Sequence, residues 1–321
     1  MLSKFKVSGF LAHGLQQLEQ YLHDFTQGLD GVLKQGVTNT LLAGGKRIRP
    51  ALFLICAKNS NYNLEYLLPA AASIEIIHTA SLIHDDIIDR SALRRGKQTI
   101  QSLYNNDTAK YVGNYLFTHT FSLLNTYNRP EILKHMCLAA EHLVRGEFDQ
   151  LKKNKNLDQG EKYYFQMINE KTSSLFKVSC VLGGLLSNSG PREIKGLARF
   201  GKLLGIAFQI NDDLLDIDIG ESQDIGKPVG NDLRQGNLTL PVIYALKNKE
   251  FKKTASQILE NKPLTEQNIE KILKMIDSTR AADIARAKFE NYIREARRAV
   301  TYIGGEERKQ NLLKVLDYFK S

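Results

Sequence analysis

Two acidic triplets carry the clearest chemistry in the chain: Asp85-Asp86-Ile87-Ile88-Asp89 and Asp212-Asp213-Leu214-Leu215-Asp216. Each has the spacing Asp-Asp-x-x-Asp. On an α-helix the first and last aspartates lie four apart on one face, and the middle one is rotated by about 100° but can lean to the same rim. Like charges at this spacing destabilise an isolated helix, and unpaired carboxylates are costly to bury. A bound cation relieves both costs. Hard oxygen donors without a Cys or His set favour Mg²⁺ over zinc. Because Mg²⁺ keeps waters and commonly takes one or two carboxylates plus substrate phosphates, each triplet reads as an incomplete site that a phosphorylated substrate completes. One triplet alone would pass as a solvated acidic helix rim. Two copies inside apolar stretches of a basic chain argue for metal. They are either ancestral repeats or two halves of one site, and facing helices of a bundle can converge on one polar cavity.

Basic residues supply the other half of the chemistry. The stretch Gly44-Gly45-Lys46-Arg47-Ile48-Arg49-Pro50 offers three cations after two glycines, and Arg94-Arg95-Gly96 follows the first triplet. Arginine forks suit bidentate phosphate contacts, and lysine adds a point charge. Neither common glycine-rich phosphate loop is present, so side chains and metal are expected to hold the phosphate.

The elements that position these groups read as helices. Apolar residues recur at three- and four-residue steps across 64–89, 162–186 and 194–217. Neither an alternating strand pattern nor an Asn-Gly or Asp-Gly hairpin signal stands out. Breaks are expected at Gly44-Gly45 to Pro50, Arg129-Pro130, Ser189-Gly190-Pro191, Gly226 to Gly236 and Lys262-Pro263. The fold class is therefore all-α, a single large multi-helix bundle around a deep central cavity, with one domain over residues 1–321. Central helices are apolar on most faces, hence interior. The charged stretch from Leu264 to Tyr318 is expected to form outer helices.

Composition bounds the rest. With 42% apolar and 25% charged residues the chain is ordinary for a globular protein. No apolar stretch is expected to reach the ~20 residues of a membrane helix, and the N-terminal residues lack a signal-peptide pattern, so a cytoplasmic location is expected. Cys56, Cys137 and Cys180 are sparse and odd in number, which predicts three buried, reduced thiols. A formal charge of +9 fits a polyanionic substrate or an anionic surface. Nucleic acid is not expected, for there is no zinc-finger spacing, aromatic RNA-binding motif or basic tail.

Taken together, these residues resemble the trans-type isoprenyl diphosphate synthases (polyprenyl synthetases), from about Gly44 to Pro241. GGKRIRP is similar to the family's isopentenyl diphosphate motif, and EIIHTASLIHDDIIDRSALRRG to its first aspartate-rich region. GEFDQ (Gly146 to Gln150), Lys171-Thr172, and FQINDDLLD followed by GKPVGNDLRQGNLTLP are similar to the second half. The resemblance implies the isoprenoid synthase fold and condensation of isopentenyl diphosphate with an allylic diphosphate. It implies that Asp85, Asp86, Asp89, Asp212, Asp213 and Asp216 hold two or three Mg²⁺ ions, completed by substrate diphosphate. It assigns Arg94, Lys171, Thr172, Gln209 and Lys227 to the allylic diphosphate, and Lys46, Arg49, His78 and Arg95 to isopentenyl diphosphate. His78 lies two turns before Asp85 and shares its face; His84 reads as a core histidine. Glu147 and Gln150 read as polar lining, and Thr172 could instead bond back along its own helix. Three positions depart from the family's usual residues: Asn237 for Lys, Gln98 for Pro and Asn114 for Asp.

Product length is expected to turn on Ala80 and Ser81, one turn before Asp85. By resemblance, bulky aromatics there stop the product at about C15, and small residues let it grow down a channel. Ile77 and Ile74 continue the face, and Phe117 and Phe121 could form a floor. A long product of about C30 or more is favoured; a C15–C20 farnesyl or geranylgeranyl diphosphate synthase, or the catalytic subunit of a two-component synthase, are the alternatives. A terpene cyclase should lack the Lys46, Arg49 and His78 set, and a regulatory subunit should have lost aspartates. The resemblance also implies a homodimer burying an apolar helix face, leaves room for a small regulatory subunit, and suits transient membrane contact during product release.

Overall fold

Helix starts fall where the punctuation residues put them. Pro130 opens one long helix and Pro191 another, because proline at the first helical position gives up only an N–H that would be orphaned anyway. The side chains of Asn63, Asn105 and Thr265 cap three further starts by accepting from Tyr66, Thr108 and Asn268 backbone N–H groups at 3.2, 2.8 and 3.2 Å.

The computed structural model describes residues 9–59, 61–153, 157–218, 229–260 and 265–319. In chain order the helices are α1 (Gly9–Gln27), α2 (Gly31–Leu41), α3 (Ile48–Ala57), α4 (Leu64–Asp89), α5 (Ile100–Leu103), α6 (Asn106–Asn125), α7 (Pro130–Lys153) and α8 (Glu161–Ile168). They continue as α9 (Ser174–Leu186), α10 (Pro191–Ile217), α11 (Asn231–Gln235), α12 (Leu240–Ala245), α13 (Lys249–Glu260), α14 (Glu266–Ser278), α15 (Ala281–Ala299) and α16 (Glu306–Tyr318). A π-helical turn, Asn169–Ser173, joins α8 to α9. The fold is all-α, and among the described residues the strands are limited to one antiparallel pair, β1 (Leu93–Arg94) and β2 (Lys97–Gln98).

That hairpin is a correction to the sequence reading. Its turn is Arg95-Gly96, with φ of 52° and 75°, so both central residues are left-handed, as in a type I′ turn. The usual signal is Asn-Gly; here arginine accepts the left-handed conformation. The expected break at Gly226 to Gly236 also contains a helix, α11, while Lys262-Pro263 and part of the Gly226 break lie outside the described residues.

The described residues form two compact units, each drawn from separate stretches of chain. Unit one comprises 9–143, 175–201 and 297–319; unit two comprises 144–174 and 202–296, as far as described. In unit one α4 is the core helix, packed along α6 and against α3 and α1. Pro69 interrupts its hydrogen-bond ladder, and the Tyr127 hydroxyl repairs the gap. It accepts from the Ala70 N–H at 3.2 Å and donates to the Tyr66 carbonyl at 2.6 Å. Gly113 of α6 lets the His84 ring settle on bare backbone, where a Cβ would meet Nε2 at 2.4 Å. In unit two α12 packs with α8 and α14. The charged C-terminal helices each bury one apolar stripe, including Ile269, Ile272, Leu273 and Ile276 in α14, and Leu312, Val315 and Leu316 in α16.

Two further expectations change. By length and hydropathy alone α4 passes as a bilayer-spanning helix, yet 67% of its most apolar window is buried inside the protein, which marks it as a core helix. Cys56 and Cys180 are buried, but Cys137 is exposed. Leu138 is exposed beside it on α7, so the usual burial of a free cysteine fails where this stretch of helix is turned outward.

Candidate active site

The first acidic cluster ends α4. Arg90 closes the helix in a left-handed conformation, and the carbonyl of Asp86 then takes the Ser91 N–H at 3.0 Å. Gln101 donates to that same carbonyl and to Ser91 O, at 2.5 and 2.9 Å. Thr99 Oγ1 donates to Ser91 O at 2.7 Å. These bonds pin the base of the β1–β2 hairpin to the end of α4, so Arg94 of β1 returns to Asp86. Arg94 Nε donates to both oxygens of Asp86 at 2.8 and 2.9 Å, and Arg94 Nη2 lies 2.8 Å from Oδ1. Asp86 is buried, Asp85 half-buried and Asp89 exposed. Burial raises the Asp86 carboxyl pKa and Arg94 opposes the rise.

The basic candidates of unit one gather at the same end. Arg49 Nη1 lies 3.0 Å from His78 Nε2. A guanidinium only donates, so Nε2 accepts and the imidazole is neutral with its proton on Nδ1. That state agrees with an imidazole pKa held well below the ordinary value, by burial first and then by Arg49, Arg95, Arg94 and Arg47. The Arg95 guanidinium rests on the Gly44–Gly45 turn: a Cβ on Gly45 would meet its Nη1 at 3.0 Å. Lys46 is exposed on that turn.

Arg47, set between two candidate phosphate cations, does something else. It adopts a left-handed conformation with φ of 47° and is buried. Its Nε and Nη2 donate to Glu19 at 2.7 and 3.1 Å, Nη1 to Glu75 at 2.5 Å, and Nη2 also to the Leu41 carbonyl at 2.8 Å. Arg47 thus ties α1, the end of α2 and α4 beneath the Gly44–Lys46 turn. Glu75 is also a favourable charge for Arg95. Neither Glu19, Glu75 nor Gln101 was singled out from sequence. A carboxylate ten residues before Asp85 inside an apolar helix was the available signal for Glu75.

His78 gives a pH test with a defined sign. Its folded-state pKa lies below the unfolded value near 6.5, so the unfolded chain binds the extra proton first. The neutral ring's contribution is fully present above pH ~6.5 and is lost as pH falls toward the folded value. In phosphate-free, metal-free buffer, the melting temperature of the wild type is expected to fall relative to His78→Asn between about pH 7.5 and 5. A difference that stays constant over this range contradicts the assignment.

In unit two, a chain of hydrogen bonds joins four elements. Thr172 Oγ1 of the π-turn donates to Gln209 Oε1 at 2.8 Å, and Gln209 Nε2 donates to Asp213 Oδ1 at 3.0 Å. Tyr164 Oη of α8 donates to Asp213 Oδ2 at 2.6 Å, and the Leu240 N–H at the start of α12 donates there at 3.0 Å. Asp213 is only 2% exposed. Burial and then Asp232 push its pKa up to about 7. Asp216 accepts from the Asn231 and Asp232 N–H groups at 3.0 and 3.2 Å, and is likewise raised to about 7 by burial and Asp232. Asp212 is exposed. Asp232, absent from the sequence candidates, is the neighbour that both carboxylates feel. Lys171 pairs with Glu147 of α7, and its Nζ donates to Gln150 Oε1 at 2.8 Å. Lys227 lies outside the described residues.

The donor set fits magnesium held in an open site. Among the described residues no three or more His, Cys, Asp or Glu side chains are grouped as a metal cage. Hard carboxylate oxygens, without Cys or His among them, are the donor type that Mg²⁺ commonly takes together with water and substrate phosphate.

Residues 31–276 match the Polyprenyl synthetase family. Component 2 of heptaprenyl diphosphate synthase from Bacillus subtilis (strain 168) is 36% identical over 294 residues, 91% of this chain and 84% of the relative. The short chain isoprenyl diphosphate synthase of Methanocaldococcus jannaschii is 33% identical over 268 residues, 82% of this chain and 81% of the relative. A polyprenyl synthase from Caulobacter crescentus CB15, solved with calcium and isoprenyl diphosphate, superposes with a TM-score of 0.91 at 25% identity, covering 99% of this chain and 97% of that one. The chain belongs to the polyprenyl synthetase family and is a prenyltransferase of the trans isoprenyl diphosphate synthase type.

Proposed function

We propose that the chain condenses isopentenyl diphosphate with an allylic diphosphate, repeatedly, to an all-trans product of about C30 or more, and that it needs Mg²⁺. The observation that carries this reading is the return of Arg94 onto Asp86, beside Arg49, His78 and Arg95. It joins metal-type carboxylates to a set of phosphate-type cations. Divalent metal use accords with the Caulobacter relative's calcium. The roles proposed are those of the sequence reading. Asp85, Asp86, Asp89, Asp212, Asp213 and Asp216 serve the metals. Arg94, Lys171, Thr172, Gln209 and Lys227 serve the allylic diphosphate. Lys46, Arg49, His78 and Arg95 serve isopentenyl diphosphate. Because both units are built from interleaved stretches of chain, neither is a contiguous module, and we take residues 1–321 as one functional domain.

Bound Mg²⁺ would act as a Lewis acid on the leaving diphosphate. The cations of the chain share that task by stabilising charge that grows as the allylic C–O bond breaks. Attack by the isopentenyl double bond forms the new C–C bond, and a proton then passes to the released diphosphate; no protein base is assigned. Incubation of the pure protein with Mg²⁺, labelled isopentenyl diphosphate and C10, C15 or C20 primers tests the reading. Elongated products are expected, and none at high enzyme would refute it.

Product length has its own test. Ala80 is fully buried and Ser81 half-buried, with the Ser81 hydroxyl donating to the His78 carbonyl at 2.8 Å. Ser81→Phe is therefore the milder probe, since a ring at Ala80 would overpack the core by about 1–3 kcal/mol. The expected outcome is a shift of the product ladder toward C15–C20. An unchanged ladder would remove Ser81 from the channel wall.

A homodimer is proposed on the strength of α7, where Val144, Phe148 and Leu151 are exposed at four- and three-residue steps along one face; an apolar stripe of this kind marks an interaction face. The Bacillus relative's designation as component 2 makes a partner subunit the competing arrangement. Light scattering of the pure protein, with and without elongation activity, separates the two. A cytoplasmic location with transient contact at an anionic membrane completes the proposal.

A further inference from the structure

Three features of α7 converge on one side chain of the π-helical turn. Gly146 packs against the Lys171 backbone so closely that a Cβ there would meet its N at 2.5 Å and its Cα at 2.8 Å. The next residue, Glu147, places a carboxylate on Lys171 Nζ, and Gln150, one turn on, accepts from Nζ at 2.8 Å. Residues 146, 147 and 150 share a face of α7. The lysine side chain is 24% exposed and the glutamate 14%, so this ion pair is partly shielded from water. A π-turn is rare and frequently found at functional sites; here it presents Lys171 to α7 while the adjacent Thr172 bonds Gln209 of α10. Glutamate is a monoanion offered to the cation that, on the function proposed above, must hold a diphosphate.

We propose that Gly146, Glu147 and Gln150 are positioning residues for Lys171, and that the Glu147 carboxylate is an internal competitor of diphosphate for it. Gly146 sets the depth of the lysine backbone, Gln150 fixes the direction of Nζ, and Glu147 occupies the charge until a stronger anion displaces it. When diphosphate leaves, Glu147 takes the lysine back, which speeds release. The inference rests on the proposed role of Lys171 in diphosphate binding.

The competition has an unusual sign, and that makes it testable. Glu147→Gln keeps the shape and removes the charge. If Glu147 only supported the fold, its loss would weaken ligand binding. Competition predicts the opposite: inorganic diphosphate with Mg²⁺, titrated calorimetrically, binds Glu147→Gln roughly three- to ten-fold tighter than wild type, the scale of one partly exposed ion pair. The gain is expected to vanish in the Lys171→Met background, and kcat to fall as product release slows. Gly146→Ala, which displaces the lysine backbone, is expected to weaken binding instead. Unchanged or weaker binding in Glu147→Gln, or a gain that persists without Lys171, overturns the proposal. The titration needs no turnover: a wild type that binds diphosphate but never elongates sinks the synthase reading and leaves this one to be decided by Glu147→Gln. A wild type that binds no diphosphate sinks both.

Discussion

Asp85→Ala is expected to lower kcat by about a thousand-fold or more, several kcal/mol of transition-state stabilisation. Asp85 sits half-buried at the rim of α4, one turn before Asp89 on the same face. Its neighbour Asp86 carries a second cost. Asp86 is buried and clasped by Arg94, so Asp86→Ala should cost stability as well as turnover, because it strands a guanidinium at a pinned hairpin. Steady-state kinetics at saturating Mg²⁺, alongside thermal melts, separates the two cases. Full turnover in Asp85→Ala would contradict the metal assignment. An unchanged melting temperature in Asp86→Ala would contradict the structural role given to the Arg94 clasp.

Glu75→Leu carries the largest expected stability effect, a loss of about 3–5 kcal/mol. Breaking a buried ion pair leaves the other charge without compensation, and the Glu75 and Arg47 side chains are 5% and 4% exposed. Arg47 would keep Glu19, whose side chain is 47% exposed, but would lose the partner that shares its burial. The double replacement Arg47→Met with Glu75→Leu should recover part of the loss, since apolar groups of similar volume often replace buried pairs at low cost. Urea titration of the three proteins measures this. A loss below about 1 kcal/mol in Glu75→Leu would show that the pair is not the anchor of the Gly44–Lys46 turn.

Much of the architecture was readable because it follows from local rules. Pro130 and Pro191 start helices, the glycine pair before Lys46 breaks one, and three- and four-residue periodicity marks the rest. The acidic triplets were readable because their spacing conflicts with an apolar helix unless something binds. What sequence left out was closure by distant segments. Arg47 looks like a third phosphate cation until Glu19 and Glu75 arrive from α1 and α4. Asp213 and Asp216 look like equals of Asp212, but their oxygens are taken by Tyr164, Gln209 and the N–H groups that open α11 and α12. The Arg95-Gly96 hairpin escaped because its conformation is stabilised by Gln101 and Thr99 at its base rather than by the usual turn residues. Cys137 was misplaced because the number and spacing of cysteines predict free thiols but do not say which way the helix face that carries each one is turned.

The clasp of Arg94 on Asp86 has a thermodynamic consequence. One set of carboxylate lone pairs cannot serve a guanidinium and a magnesium ion at full strength together. On the proposed roles, metal arriving alone must compete with Arg94, and diphosphate arriving alone must draw Arg94 from a buried acid. Each ligand removes the obstacle to the other, so their affinities are coupled, and linkage requires the coupling to be equal in both directions. The site then behaves as a coincidence detector: it is weak toward free metal, weak toward free diphosphate, and strong toward the pair.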